Sequence, residues 1–202
     1  ARISLLIGII ATGMGAVAGS ILGALAGYYG GRTENCIMSF CDVLQAIPPL
    51  LLAIAIAAAL GPGLFNMMLA ISIGSIPRFA RTLRASILTV KDQEFIEAAH
   101  AIGAGDARII VKHILANCLA PIIVQVTLGV AGSIINAASL SFIGLGVQAP
   151  IAEWGSMLSS GRQYIRDYWF VVIFPGLAIM STILALNLFG DGLRDALDPR
   201  LR

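Results

Sequence analysis

The chain has 202 residues, of which 58% are hydrophobic and 12% charged, with a formal net charge of +2 and a mean hydropathy of +0.90. A soluble domain carries about 25% charged residues, so this supply cannot cover a water-facing surface, and no nucleic-acid partner is expected. The composition points to an all-α membrane protein, a polytopic helical bundle whose first partner is the lipid bilayer; at about 20 residues per crossing, five spans occupy roughly half of the chain.

The first span is expected over residues 3–27. Gly15, Gly19, Gly23 and Gly27 recur every fourth position, which on a helix makes one ridge where a second backbone can approach closely. No targeting peptide is evident, and the chain begins at Ala1 with no convincing cleavage site before Tyr28-Tyr29-Gly30-Gly31; a fragment without its natural start is expected. The second span, 37–60, carries Asp42 near one end, either solvated or held in a helix contact. Pro48 and Pro49 are expected to kink this span near its start.

The third span, 64–88, has an uninterrupted apolar part only from Leu64 to about Pro77, followed by Arg78, Arg81 and Arg84 at spacing three. An arginine at the bilayer centre costs about 2.5–3.5 kcal/mol on insertion scales. The helix is therefore expected to bend around Pro77 and carry its arginines out of the membrane along one side. It leads into the sustained polar interruption EFIEAAHAIGAGDARIIVKH over residues 94–113. There Phe95, Ile96, Ala99 and Ile102 lie at helical spacing beside Glu94, Glu97 and His100. Gly103 and Gly105 break that helix, and Asp106 is the expected amino-terminal cap of a second one. The small residues Ala98, Ala99, Ala101 and Ala104 give the first helix a slim profile, suited to docking in a groove or to lying on the inner leaflet.

The fourth span, 115–139, carries Gln125, Thr127, Ser133, Asn136 and Ser139; hydrogen bonds between helices and the lining of a watery path are both open readings. The outer loop that follows combines Glu153, Trp154, Arg162, Tyr164, Arg166, Asp167, Tyr168 and Trp169, the mixture of an interfacial belt or a docking face. The fifth span is 170–190. Cys36, Cys41 and Cys118 have neither metal-ligand nor redox spacing and read as apolar fillers. His100 and His113 lack a third ligand, so no metal site is expected, and no catalytic residue is assigned.

Positively charged loops stay cytoplasmic. With the amino terminus outside, ten of the 13 Lys and Arg residues fall inside (Arg32, Arg78, Arg81, Arg84, Lys91, Arg108, Lys112, Arg194, Arg200 and Arg202), against Arg2, Arg162 and Arg166 outside. The polar interruption and the carboxyl terminus are thus expected in the cytoplasm of a multi-pass plasma-membrane protein.

Glu97-Ala98-Ala99, with Gly103 four residues on and Leu115 twelve further, resembles the cytoplasmic EAA loop of permease subunits of ATP-binding-cassette importers. Collinear segments are similar to the dipeptide, oligopeptide and nickel branch of that family: AGYYGG at 26–31, DVL at 42–44, LSFIGLGVQ at 140–148, EWG at 153–155 and GDGLRDALDP at 190–199. Two departures stand out. Ala116 follows Leu115 where the family commonly has proline, and an initial helix and external segment usual in the family are missing before Arg2.

The resemblance implies a single permease domain over 1–202, with a coupling loop at about 92–116 that sits in a groove of an ATPase subunit through Glu97, Ala98, Ala99, Ala101, Gly103 and Asp106. It implies a bacterial or archaeal inner membrane, and as partners two ATPase subunits, a homologous second permease and an extracytoplasmic substrate-binding protein. ATP and Mg belong to the ATPase subunits, and this chain holds no cofactor and hydrolyses nothing itself. No G-x-x-x-x-G-K-[ST] phosphate loop occurs in it. Di- and oligopeptides are the first cargo, with Gln125, Thr127, Ser133 and Asn136 as candidates for the path; nickel or metal chelates are an alternative. An ion-coupled secondary transporter is the rival from another class, needing buried charged relays or inverted repeats.

Overall fold

A computed structural model describes residues 1–148 and 150–197 of the chain. Residues Ala149, Asp198, Arg200 and Arg202 fall outside the described residues, and so do the last two positions of the 190–199 segment. The described residues fold as helices α1 (Arg2–Tyr29), α2 (Gly31–Ala46), α3 (Pro49–Leu60), α4 (Leu64–Val90), α5 (Glu94–Ala101), α6 (Asp106–Arg108), α7 (Leu115–Phe142), α8 (Trp154–Gly161) and α9 (Phe170–Leu197). A π-helical stretch, Ile109–Ile114, joins α6 to α7.

Packing centres on α1 against α4, and the glycine ridge is the reason. A Cβ at Gly19 would lie 2.5 Å from the Ile76 carbonyl oxygen, and one at Gly23 would lie 2.4 Å from that of Ala80. Gly15 and Gly27 face α4 in the same way, at Ser75 and Ile87. The backbones therefore touch where any other residue would hold them apart. At one end Ile7, Ala11, Met67, Ile71 and Leu140 form a buried cluster; at the other Ala24, Leu83, Ile87, Ile114 and Cys118 form a second. Cys41 and Cys118 are buried and Cys36 exposed.

All five expected spans are helical, but two differ from expectation. Among the described residues, α1, the continuous Asp106–Phe142 helix and α9 are each long and apolar enough to cross a membrane. The second span is not one kinked helix: α2 and α3 meet at 87°. Consecutive prolines cause a full break in the middle of 37–60 and not a kink near its start. Ile47 is extended at φ −95°, ψ 129°, as a residue before proline prefers, and Pro49 sits where a helix start tolerates it. The third, α4, has 27 residues, about 40 Å of helix, yet its arginines leave it short of the apolarity of a plain span. Pro77 is accommodated inside it without ending the helix.

The outer loop is corrected more sharply. Glu153 is only 1% exposed. Its carboxylate accepts from the Ser156 backbone N–H at 2.9 Å, capping α8, and from Ser4 Oγ of α1 at 3.2 Å. Ser4 Oγ in turn accepts from the Trp154 N–H at 3.2 Å, and Trp154 is buried. A Cβ on Gly155 would come within 2.5 Å of the Ala138 backbone. The EWG segment is thus a staple between α1, α7 and α8, not a docking face. Of the residues singled out in this loop, Arg162, Tyr164, Arg166, Asp167, Tyr168 and Trp169 are exposed.

Candidate coupling loop and translocation face

The polar interruption folds into a knob held from within the chain. Ile96 and Ala99 of α5 are buried against Leu83 and Ile87 of α4, Ile109 and Ile114 of the π-helical turn, and Cys118 of α7. Ala99 therefore seats α5 on its own scaffold and is withdrawn from any partner. Glu94, Phe95, Glu97, Ala98 and Ala101 are exposed, and Ile102 is 84% exposed. A mixed acidic and apolar face on a rigid support is what this arrangement offers to another protein.

The turn out of α5 explains Gly103. Its φ is +76°, a left-handed conformation open to glycine at little cost. The Gly103 N–H donates to the His100 carbonyl at 2.9 Å and the Ala104 N–H to the Ala99 carbonyl at 3.1 Å, the paired bonds of a Schellman stop. Ala104 packs back on the cluster that holds Ala99, which supplies the apolar contact this stop favours. The same device ends α7: Gly144 has φ +84° and Leu145 N–H donates to Leu140 at 2.9 Å. The two stops share the pattern I-G-x-G, at Ile102 and at Ile143.

Asp106 does not cap the second helix as expected. Gly105 occupies the cap position, and Asp106 is the first helical residue with no side-chain bond to the helix start. Its carboxylate instead accepts from Tyr28 Oη at 2.9 Å, and the Tyr28 ring stacks on His100 with centroids 6.5 Å apart. Tyr28, at the end of α1, thereby fastens both halves of the loop, across a separation of 78 residues. His100 and His113 join no cluster of three metal-ligating side chains among the described residues.

Below the knob, α4 and α7 present two cavities with mixed, mainly apolar linings that carry a few polar side chains. One of about 520 Å³ is lined by Arg78, Thr82, Asn117, Pro121, Gln125 and Arg194, among others; the other, of about 310 Å³, by Thr12, Gln45, Ser75, Arg78, Ser133 and Asn136, among others. On α7 the lining residues Asn117, Pro121, Gln125, Leu128, Gly132 and Asn136 follow spacings of three and four, one face of a helix. That face rises about 28 Å, close to the roughly 30 Å hydrocarbon core of a bilayer. Ile71, Ser75, Arg78 and Thr82 make the matching face of α4.

Three of the four path candidates lie on this face. Gln125 is in the larger cavity, where its Oε1 accepts from Thr82 Oγ1 while its buried Nε2 has no partner. Ser133 and Asn136 are in the smaller one, and Ser133 Oγ shares a 2.8 Å hydrogen bond with Thr12 Oγ1. Thr127 lines neither. Its hydroxyl donates to the Ile123 carbonyl at 3.0 Å, and its methyl lies 3.5 Å from where a Cβ of Gly190 in α9 would be, so it packs between helices. The arginines of α4 also separate: Arg81 pairs with Asp42 and Arg84 with Glu34, both on α2, whereas Arg78 faces the cavities.

Residues 19–202 match the family described as binding-protein-dependent transport system inner membrane component. The chain is 48% identical over 202 residues to the di/tripeptide transport system permease protein DppC of Pseudomonas aeruginosa, covering all of this chain and 67% of that protein. It is 49% identical to the dipeptide transport system permease protein DppC of Alkalihalophilus pseudofirmus, covering 66% of that relative. Against the glutathione transport system permease protein GsiD of Escherichia coli it is 51% identical and covers 67%. The chain thus spans about two thirds of the length of these relatives. Its fold is shared with a chain of the inward-facing MetNI methionine ABC transporter, at a TM-score of 0.76 and 19% identity over 98% of this chain and 94% of that one.

Proposed function

The chain belongs to the family of binding-protein-dependent transport system inner membrane components, and from that membership we propose that it forms half of the translocation path of an ATP-driven importer of di- and oligopeptides. The observation that carries the reading is the knob: a helix with an exposed Glu97, Ala98 and Ala101 face, seated simultaneously on α1, α4 and α7. A partner that moves α5 moves the helices that line the cavities. In this reading two ATPase subunits, which hold the ATP and Mg, grip the knob, a homologous permease completes the path, and an external binding protein delivers the cargo. The chain itself performs no chemistry.

The peptide assignment is supported by the relatives, which are named for di/tripeptide, dipeptide and glutathione transport. The knob faces the cytoplasm in this proposal, because ten of the 13 Lys and Arg residues lie in the segments on its side. The cavity faces on α4 and α7 support a route of nearly membrane thickness along which polar side chains recur between apolar ones.

The test is affinity purification of the full-length protein from native membranes in mild detergent, with mass spectrometry of what copurifies. ATPase subunits, a second permease and a binding protein are the expected catch. Glu97→Lys and Gly103→Leu should each remove the ATPase subunits while leaving membrane insertion intact. Normal ATPase recovery in both variants would defeat the docking role, and solute movement by the chain alone down an ion gradient would favour a secondary transporter.

A further inference from the structure

Arg78, Arg81 and Arg84 repeat every third residue of α4, yet they meet different fates. Asp42 neutralises Arg81 and Glu34 neutralises Arg84. Among the described residues no carboxylate lies within salt-bridge reach of Arg78, and Arg78 is the one residue that lines both cavities. The larger cavity adds a second cation, Arg194, and among the described residues its lining includes no acidic one. In the smaller cavity Arg78 is, among the described residues, the only charged group of the lining. Arg78 is exposed, in the part of α4 that the proposed topology puts toward the cytoplasm, so its guanidinium is open to a ligand in either cavity, and guanidinium geometry matches a carboxylate with two parallel hydrogen bonds.

We infer that Arg78 is a carboxylate-binding station at the junction of the two cavities, engaging the C-terminal carboxylate of a peptide as it passes from one to the other. The inference rests on the importer reading above and adds to it a residue and a chemical group. Cargo supplies the counter-charge that Asp42 and Glu34 supply to the neighbouring arginines. Arg194 lies on the next stretch of wall, so an anion released by Arg78 meets a second cation within the larger cavity. The pairing of Arg81 and Arg84 with α2 keeps those two charges from competing for the same carboxylate.

The full-length chain is reconstituted in proteoliposomes with its second permease, ATPase subunits and binding protein, and ATP-driven uptake of L-alanyl-L-alanine is measured. Arg78→Gln should lower uptake at least tenfold with the ATPase subunits still copurifying, Arg78→Lys should retain a third or more, and Arg81→Gln should stay within twofold of wild type. Uptake by Arg78→Gln within twofold of wild type, or a loss in Arg78→Lys as deep as in Arg78→Gln with the complex intact, would overturn the inference alone. Absence of ATP-driven uptake in the wild type would remove the importer reading and this inference with it. Saturation-transfer NMR on the complex without its binding protein compares the dipeptide with L-alanyl-L-alaninamide. A stronger free-acid signal that Arg78→Gln abolishes is expected, and equal wild-type signals would refute the carboxylate assignment.

Discussion

Gly103 has no neighbouring atom within 4 Å of where a side chain would begin, so the cost of replacing it is conformational and not steric. Alanine there must hold a left-handed backbone at about 1–2 kcal/mol. In a chain of this size 1 kcal/mol moves the unfolding midpoint by about 2–4 °C, so Gly103→Ala should lower the midpoint measured in detergent by several degrees. The loop should also lose ATPase affinity, read by copurification. Glu153 makes a contrasting case, because its carboxylate is buried and caps α8. Glu153→Ala should cost about 1–2 kcal/mol in the same thermal scan, without altering ATPase recovery. At this scale the sequence was legible where a residue acts on its near neighbours: helical spacing put Glu97 on a short surface helix, and glycine's freedom marked Gly103 as its end. It misled where identity depends on a distant partner. Asp106 looks like a cap until Tyr28, 78 residues away, claims its carboxylate, and Glu153 and Trp154 look like surface residues until Ser4 of α1 meets them.

Helix α1 carries its own control experiment for the glycine ridge. Gly23→Leu would drive a side chain into the Ala80 backbone, while a Cβ on Gly13 of the same helix would meet nothing within 4 Å. Gly23→Leu should separate α1 from α4 and remove the cooperative unfolding transition in detergent; overpacking costs typically 1–3 kcal/mol even where neighbours can shift, and backbone cannot. Gly13→Leu should leave the transition within a degree or two. The ridge was readable because a period of four on a helix selects one face, and the two prolines were readable as an interruption. The size of the α2–α3 bend was not. Residues 37–60 are apolar enough to pass for one span, and whether consecutive prolines kink or break a helix is decided by which partners take the freed backbone groups. Likewise, no local pattern tells that one arginine of α4 faces cavities and the next two face α2.

Across the whole molecule the knob and the exposed 162–169 segment belong, in the proposed topology, to opposite sides of the bilayer. With the exposed Cys36 removed, a membrane-impermeant maleimide should label Tyr164→Cys in intact cells and Ile102→Cys only after the membrane is opened. The reverse pattern would invert the topology. The fold class was legible from hydropathy because a bilayer imposes it on every span, whereas the cavity faces were not, since the polar residues that make them are ordinary helix residues until α4 and α7 lie side by side. Helix α9 packs on α7 and α8 and buries, among the described residues, only Pro175 and Gly190. The α1–α4 seam is the opposite, because backbone touches backbone and there are no long side chains between the helices to rearrange under load. A push on one helix is delivered to the other without slack, so the pair behaves as a single stiff beam. A displacement of α5 that reaches α4 is then passed to α1 undiminished, and the two helices travel as one body.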